Sequence, residues 1–127
     1  MNNLRAKPNT TGFTLTELLV VILILGILTM IALPVYISTV QTTQQGSANS
    51  NARALASAVQ SRATSTGYYD TVVADYAVDM GGSVPTNPCT GNSGGYVITA
   101  TSKSATVTAL EGGNCGPWTP TPFNVNL

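Results

Sequence analysis

Histidine is absent from this sequence, and charged residues of either sign make up only 8% of it. The chain therefore lacks the commonest metal ligand and general base, and no serine or cysteine lies in a recognisable arrangement with a base and an acid. The glycine pairs at 81–82 and 94–95 lack the lysine and the helical context of a phosphate-binding loop. The spacing of Asp70, Asp75 and Asp79 is not that of a calcium loop, so we interpret them as solvated acids. We predict no enzyme activity, no cofactor and no metal site.

Basic residues are too few and too scattered to indicate nucleic-acid binding. Beyond Gly12 there are three (Arg53, Arg62 and Lys103) against five acidic residues, which gives a net charge of about −2. A nucleic-acid binder usually presents a basic stripe. Arg53 and Arg62 are nine residues apart, which on a helix places them on opposite sides. We therefore do not expect nucleic acid among the partners.

Only two cysteines are present, Cys89 and Cys115. An even number of cysteines in a small domain without histidine indicates a disulfide more than a metal site. A disulfide requires an oxidising compartment. Two free buried thiols are the alternative.

One long apolar segment runs from Phe13 to Ile37, preceded by a polar stretch that carries Arg5 and Lys7. About 20 apolar residues suffice for a helix to cross a bilayer, and flanking basic residues tend to stay in the cytoplasm. The pattern predicts an inner-membrane helix with its N-terminus inside. A removable secretory signal is the first rival, but its apolar region is usually shorter and ends in a small-residue cleavage site. A plain signal anchor is the second rival.

Glu17 lies within this apolar segment, and neither rival explains it. An ionised carboxylate in the membrane costs several kcal/mol, so it usually has a partner or a task. The simpler interpretation is that Glu17 lies near the membrane surface and reaches water.

The residues Gly12-Phe13-Thr14-Leu15-Thr16-Glu17, followed by an aliphatic run, resemble the class III signal of type IV pilins and type II secretion pseudopilins. Thr16 stands where many members carry isoleucine. The resemblance extends to about Val40. It implies cleavage between Gly12 and Phe13 by a prepilin peptidase, which then N-methylates Phe13. It also implies that Glu17 acts in assembly, and that Gly26 and Pro34 are helix-weakening positions.

The resemblance divides the chain into three parts: a leader at 1–12, an apolar transmembrane and assembly helix at 13–37, and an extracytoplasmic head at 38–127. The expected fold is α+β, with a long N-terminal helix packed on a small antiparallel sheet and a C-terminal disulfide loop. From the residues alone, a stripe of small apolar side chains predicts that the helix ends near Gly67. Strands are expected at 95–101 and 105–110, with a further strand within 71–78. Trp118 and Phe123 are expected to anchor the proline-rich tail.

The function that the resemblance implies is a structural subunit of a type IV pilus, serving adhesion, motility, aggregation or DNA uptake. Its partners are then further copies in a helical filament, the inner membrane before assembly, the prepilin peptidase and the pilus assembly machinery. Its final location is the cell surface. A type II secretion pseudopilin is the alternative. A competence-type DNA receptor and a membrane-tethered protein that never polymerises also remain open.

Overall fold

The computed structural model describes residues 12–127, so most of the expected leader lies outside it. One long helix, α1 (Leu15–Thr66), precedes a short 3-10 helix (Val73–Tyr76) and a hairpin of strands β1 (Tyr96–Ala100) and β2 (Ser104–Ala109). A second 3-10 helix (Gly113–Cys115) and strand β3 (Phe123–Asn126) complete the order. The chain divides into two compact units, of which the first ends at Tyr36 and the second is Ile37–Leu127.

The first part of α1 is apolar on all its faces, and its large side chains are exposed. An 18-residue window of the helix reaches a mean hydropathy of 3.0, and none of that window is buried within the protein. By length and composition it is long enough to cross a membrane. A core helix of a soluble protein passes the same test of composition, but it is mostly buried.

The second part of α1 has one buried stripe of small residues. Its members are spaced three or four positions apart, as one face of a helix requires, and they are Ala48, Ala52, Leu55, Ala56, Val59 and Ala63. The stripe packs with alternate residues of the hairpin, namely Tyr96, Ile98, Ala105, Val107 and Ala109. Because these helix side chains are small, the backbone of α1 can approach the sheet closely, and this contact forms the core.

The sheet is antiparallel with the strand order β1-β2-β3. Tyr96 pairs with Ala109 at one end of the hairpin, and Val107 pairs with Phe123 of the third strand. Burial alternates along each strand, with one face on the core and the other toward solvent. The α+β architecture is thus confirmed, with a long N-terminal helix on a small antiparallel sheet.

One local expectation was wrong. The segment 71–78 contains the first 3-10 helix instead of a strand, because its Tyr76 and Val73 meet the core three residues apart, at the period of a 3-10 turn. Trp118 and Phe123 pack against the core, as expected of anchors of the tail, but Phe123 also starts a third strand that was not predicted. The Phe-Asn-Val-Asn alternation did carry a signal for that strand, but it covers only four residues and follows two prolines.

Candidate functional site

The start of α1 is a capping box formed by Thr14 and Glu17. The backbone N–H and the hydroxyl of Thr14 donate to Glu17 Oε2 at 2.9 and 2.7 Å. In return, the Glu17 N–H donates to the Thr14 hydroxyl at 3.2 Å. This reciprocal arrangement satisfies N–H groups that have no partner within the helix. Sequence reasoning missed this role of Thr14, although the Thr-x-x-Glu spacing is its signature.

The capping box uses only one of the two carboxylate oxygens of Glu17. Within the described residues no hydrogen bond reaches Oε1, and both Glu17 and Phe13 are exposed. Glu17 therefore has a structural task inside its own chain and also a free acceptor next to the Gly12–Phe13 junction. The cap explains part of why an acid occurs here, and within residues 12–127 no cationic side chain pairs with this carboxylate.

Gly26 and Pro34 both lie inside a continuous α1. Pro34 supplies no N–H to the helix, and a glycine weakens a helix by about 1 kcal/mol relative to alanine. A side chain at Gly26 would meet no atom within 4 Å, so packing inside this chain does not require glycine there. In this structure neither residue breaks the helix.

An exposed apolar notch surrounds Gly26. It has a volume of roughly 470 Å³ and is lined by Leu19, Ile22, Leu23, Ile27 and Met30 beside the glycine. A notch of aliphatic side chains on an exposed helix is a surface that another apolar helix can pack against. The absence of a side chain at Gly26 therefore shapes the outer surface of α1 and not the core.

Cys89 and Cys115 form a disulfide, as expected, with a Cα–Cα distance of 5.0 Å. Both residues are buried. The Asn114 N–H donates to the Cys89 carbonyl at 3.1 Å. The Gln45 side chain of α1 donates to the Cys115 carbonyl at 2.9 Å, which ties this loop to the helix. Gly113 has a φ of 58°, and a Cβ there would collide with the Cys89 carbonyl, so the close crossing of the two segments needs glycine.

Asn87 is the one buried polar side chain among the described residues. Its amide group donates to the carbonyls of Gly95 and Leu110, and its carbonyl oxygen accepts from the Cys89 N–H at 2.9 Å. It thus joins the disulfide, the start of β1 and the end of β2. The sequence alone does not single out Asn87, because its partners lie up to 23 positions away.

The Asp70–Asp79 segment is fixed to α1 by Arg62. The Arg62 guanidinium donates to the Asp75 carbonyl, pairs with the Asp79 carboxylate at 3.5 Å and lies 5.3 Å from the centre of the Tyr76 ring. The Val72 N–H donates to Asp70 at 3.0 Å and is the main cause that lowers the pKa of that carboxyl. Burial raises the pKa of Tyr76, whose hydroxyl donates to the Asp70 carbonyl. No group of three residues able to hold a metal ion occurs in the part of the chain that the structure describes.

Comparison with known proteins gives two matches to this chain. A family model described as the prokaryotic N-terminal methylation motif matches residues 7–33, which include the capping box and Gly26. The chain is also 35% identical over 96 residues to the type IV major pilin protein PilA of Myxococcus xanthus. That match includes 76% of this chain and 40% of the relative, so this chain spans less than half of the relative's length. No solved structure gives a significant match.

Proposed function

Because the chain belongs to the type IV pilin family, we propose that it is a subunit of a type IV pilus filament and polymerises through the first part of α1. The observation that carries this proposal is that the first part of α1 is apolar on every face, has its large side chains exposed within its own chain and is interrupted by one acid. In water, this exposed apolar surface does not stabilise a single chain. In a membrane, and later in a bundle of identical helices, the same surface is buried.

The proposed route begins in the inner membrane, with the N-terminus inside and the unit after Tyr36 outside. Cleavage between Gly12 and Phe13 removes the leader, and methylation of the new Phe13 amine follows. The anchor is retained because the cut lies before the apolar segment. Assembly machinery then moves the subunit into a filament at the cell surface. The disulfide supports an oxidising location for the second unit.

Glu17 is the proposed assembly residue. After cleavage, Phe13 carries a cationic amine, and the free Oε1 of Glu17 in a neighbouring subunit is its proposed acceptor. Pairing offsets part of the desolvation cost of both charges, which is several kcal/mol per ion. Aliphatic helices fit together at many offsets, and one buried ion pair penalises the wrong ones. A head-to-tail contact of this kind does not close on itself, so it continues as a helical filament.

The likeness to a major pilin and the disulfide-closed C-terminal region both favour a pilus over a type II secretion pseudopilus. The similarity to a structural subunit also supports a role without enzyme activity. Long filaments that are sheared from the cell surface and contain this chain would support the pilus. Short periplasmic assemblies would support the alternative.

The capping box allows the charge of Glu17 to be tested separately from its structural task. Glu17→Gln keeps an acceptor for the Thr14 N–H but removes the charge, whereas Thr14→Ala removes the two capping bonds of the hydroxyl and keeps the charge. Loss of one partner from a buried ion pair costs about 3–5 kcal/mol. We therefore expect Glu17→Gln to be inserted and cleaved normally, yet to give at least about a hundredfold fewer filaments.

Thr14→Ala should still assemble filaments, and it is the matched control. Filaments are counted by electron microscopy, and an immunoblot of the membrane fraction shows subunit levels and processing. Normal filament numbers in Glu17→Gln would refute the pairing and leave Glu17 with its capping role alone. A chain that is absent from filaments in the unaltered host would refute the pilus subunit itself.

A further inference from the structure

On the exposed side of the segment that follows α1, two apolar side chains and the carboxylate between them form a short ridge. The segment contains the 3-10 helix Val73–Tyr76, and bonds between residues three apart join Asp75 to Val72 and Gly81 to Val78; in such turns positions i and i+3 are aligned. Val72, Asp75 and Val78 follow this spacing and are all exposed, Val78 by 84%. The opposite side is the buried one, with Val73 and Tyr76 against the core. We call the exposed line of Val72, Asp75 and Val78 the ridge.

Two valines are thus exposed on either side of a carboxylate that has no cationic partner at salt-bridge distance within the described residues. Arg62 holds the ridge to α1, since it contacts the backbone carbonyl of Asp75 and the carboxylate of Asp79. The Asp75 side chain is exposed and lies within hydrogen-bonding reach of the Asp70 side chain. This arrangement is not needed for the fold of the segment, whose core contacts come from the other side.

The opposite side of α1 carries a groove of roughly 580 Å³ between the helix and β3. Its lining combines the apolar groups of Ala56, Pro122 and Phe123 with the hydroxyls of Ser57 and Ser61. Arg53 lines this groove and a second one of roughly 370 Å³ that continues toward Asn49. We call the larger of the two the Arg53 groove.

Arg53 is held in place although it has no carboxylate partner among the described residues. Its guanidinium carbon lies 5.2 Å from the centre of the Phe123 ring, which fixes the cation at the groove through a cation–π contact. No acidic residue lines either groove. The groove therefore presents one oriented positive charge beside apolar side chains, the complement of a carboxylate between two valines.

We propose that the ridge of one copy docks in the Arg53 groove of a second copy, with the Asp75 carboxylate paired to the Arg53 guanidinium. Because Arg53 and Arg62 are on opposite sides of α1, the ridge near Arg62 and the groove near Arg53 face different neighbours. One copy cannot fill its own groove, and the contact is head-to-tail and continues from copy to copy. It rests on the proposed pilus function, to which it adds a contact between the units that follow Tyr36.

The contact is too small to hold two copies together alone, since stable interfaces bury about 1,200 Å² or more. Its contribution appears when the apolar helices already hold the subunits together. The ion pair then sets which face of one unit meets its neighbour, and the valines are removed from water.

Charge reversal in filaments of the native host tests the pairing. An exposed ion pair contributes up to about 1 kcal/mol, or about fivefold. We expect Arg53→Glu and Asp75→Lys each to lower the yield of sheared filaments by about fivefold or more, because reversal replaces attraction by repulsion. The double variant Arg53→Glu/Asp75→Lys should recover most of the yield. Lys103→Glu and Glu111→Lys make the same changes of charge elsewhere and should leave the yield unchanged.

A cross-link in assembled filaments tests the geometry. Chains with Ser57→Cys and Val78→Cys, treated with a short bismaleimide, should give a ladder of covalent oligomers that disappears when filaments are dissociated first. Ser57→Cys with Thr99→Cys, whose second cysteine lies on the exposed side of β1, should give none.

No recovery in the double variant together with no ladder would overturn the proposal, while normal wild-type filaments would leave the pilus function standing. Normal filaments but lost adherence in Arg53→Glu would assign the groove to an external ligand and would also overturn the proposal. Absence of filaments from the wild-type chain would refute both the pilus function and this contact.

Discussion

At the scale of single residues, Asn87 shows how one buried amide can organise a loop-rich region. Its side chain accepts from one backbone N–H and donates to two backbone carbonyls, and all three bonds are buried or partly buried. Removal of the side chain would leave these three backbone groups without that partner. An unsatisfied buried polar group costs about 1–3 kcal/mol. A small domain has few other interactions to absorb that loss, and Asn87 is therefore more important to stability than its place in a turn indicates.

We expect Asn87→Ala to lower the stability of the unit after Tyr36 by about 3 kcal/mol or more, since up to three backbone groups lose a partner. At about 4–8 °C per kcal/mol for a domain of this size, the melting temperature falls by more than about 10 °C. Calorimetry of the purified chain in detergent measures the change. Asn92→Ala is the control, because its side chain makes only an exposed contact with Thr90. Equal melting temperatures for the two variants would contradict the role of Asn87.

At the scale of elements, α1 changes its environment along its length. The first part is apolar all round, as the proposed contact with lipid and with other helices requires, whereas the second part needs only one apolar stripe to cover the sheet. Asn49 and Gln60, which lie beside the stripe, bind the C-terminal segment. The Thr121 N–H donates to Asn49 at 3.2 Å, and the Gln60 side chain donates to the Asn126 carbonyl at 2.7 Å. These contacts tie the segment that contains β3 to α1.

The disulfide closes the C-terminal element, and we expect its removal to destabilise the fold markedly. Cys89 and Cys115 are separated by 26 positions, and the chain-entropy model gives about 3–4 kcal/mol for a loop of this length. Cys89→Ser/Cys115→Ser should therefore melt at least about 10 °C below the unaltered chain. Ser102→Ala, in the exposed turn between β1 and β2, should melt normally. An unchanged melting temperature in the double variant would show that the helix and sheet hold the loop without the bridge.

At the scale of the whole molecule, the chain combines a segment suited to membrane and filament with a unit that has its own core. The core of the second unit is made entirely from residues after Tyr36. A change in the surroundings of the N-terminal segment therefore leaves the residues of that core in place. This separation fits the proposed move of the subunit from membrane to filament.

Processing at the Gly12–Phe13 junction is the prediction at this scale. The mature chain should begin at Phe13, with a methylated amine. Intact mass and N-terminal sequencing of protein from the native host measure this. Gly12→Phe should leave the precursor uncut, because glycine leaves room at the cleaved bond, while Asn9→Ala in the leader should be cut normally. A mature chain starting at Met1 or after residues 30–35 would contradict the processing and with it the pilus function.

The sequence by itself determined the features that depend on neighbouring residues. The apolar segment, the small stripe of α1, the β1–β2 hairpin and the Gly12–Glu17 motif are all local patterns, because helix and strand periods and membrane spans are set by residues close in the chain. The pairing of Cys89 with Cys115 could also be predicted, since two cysteines allow only one bridge within the chain. The Thr14–Glu17 cap was equally local and could have been predicted.

The tertiary structure alone decided the features whose parts are distant in sequence. Asn87 became a buried junction only when β1, β2 and the disulfide were brought around it. The 71–78 segment became a 3-10 turn because Tyr76 had to reach the core. Arg53 and Phe123, 70 positions apart, met only through the pairing of β3 with β2, and that pairing created the groove. Periodicity describes which face of an element is apolar, but packing decides which faces meet.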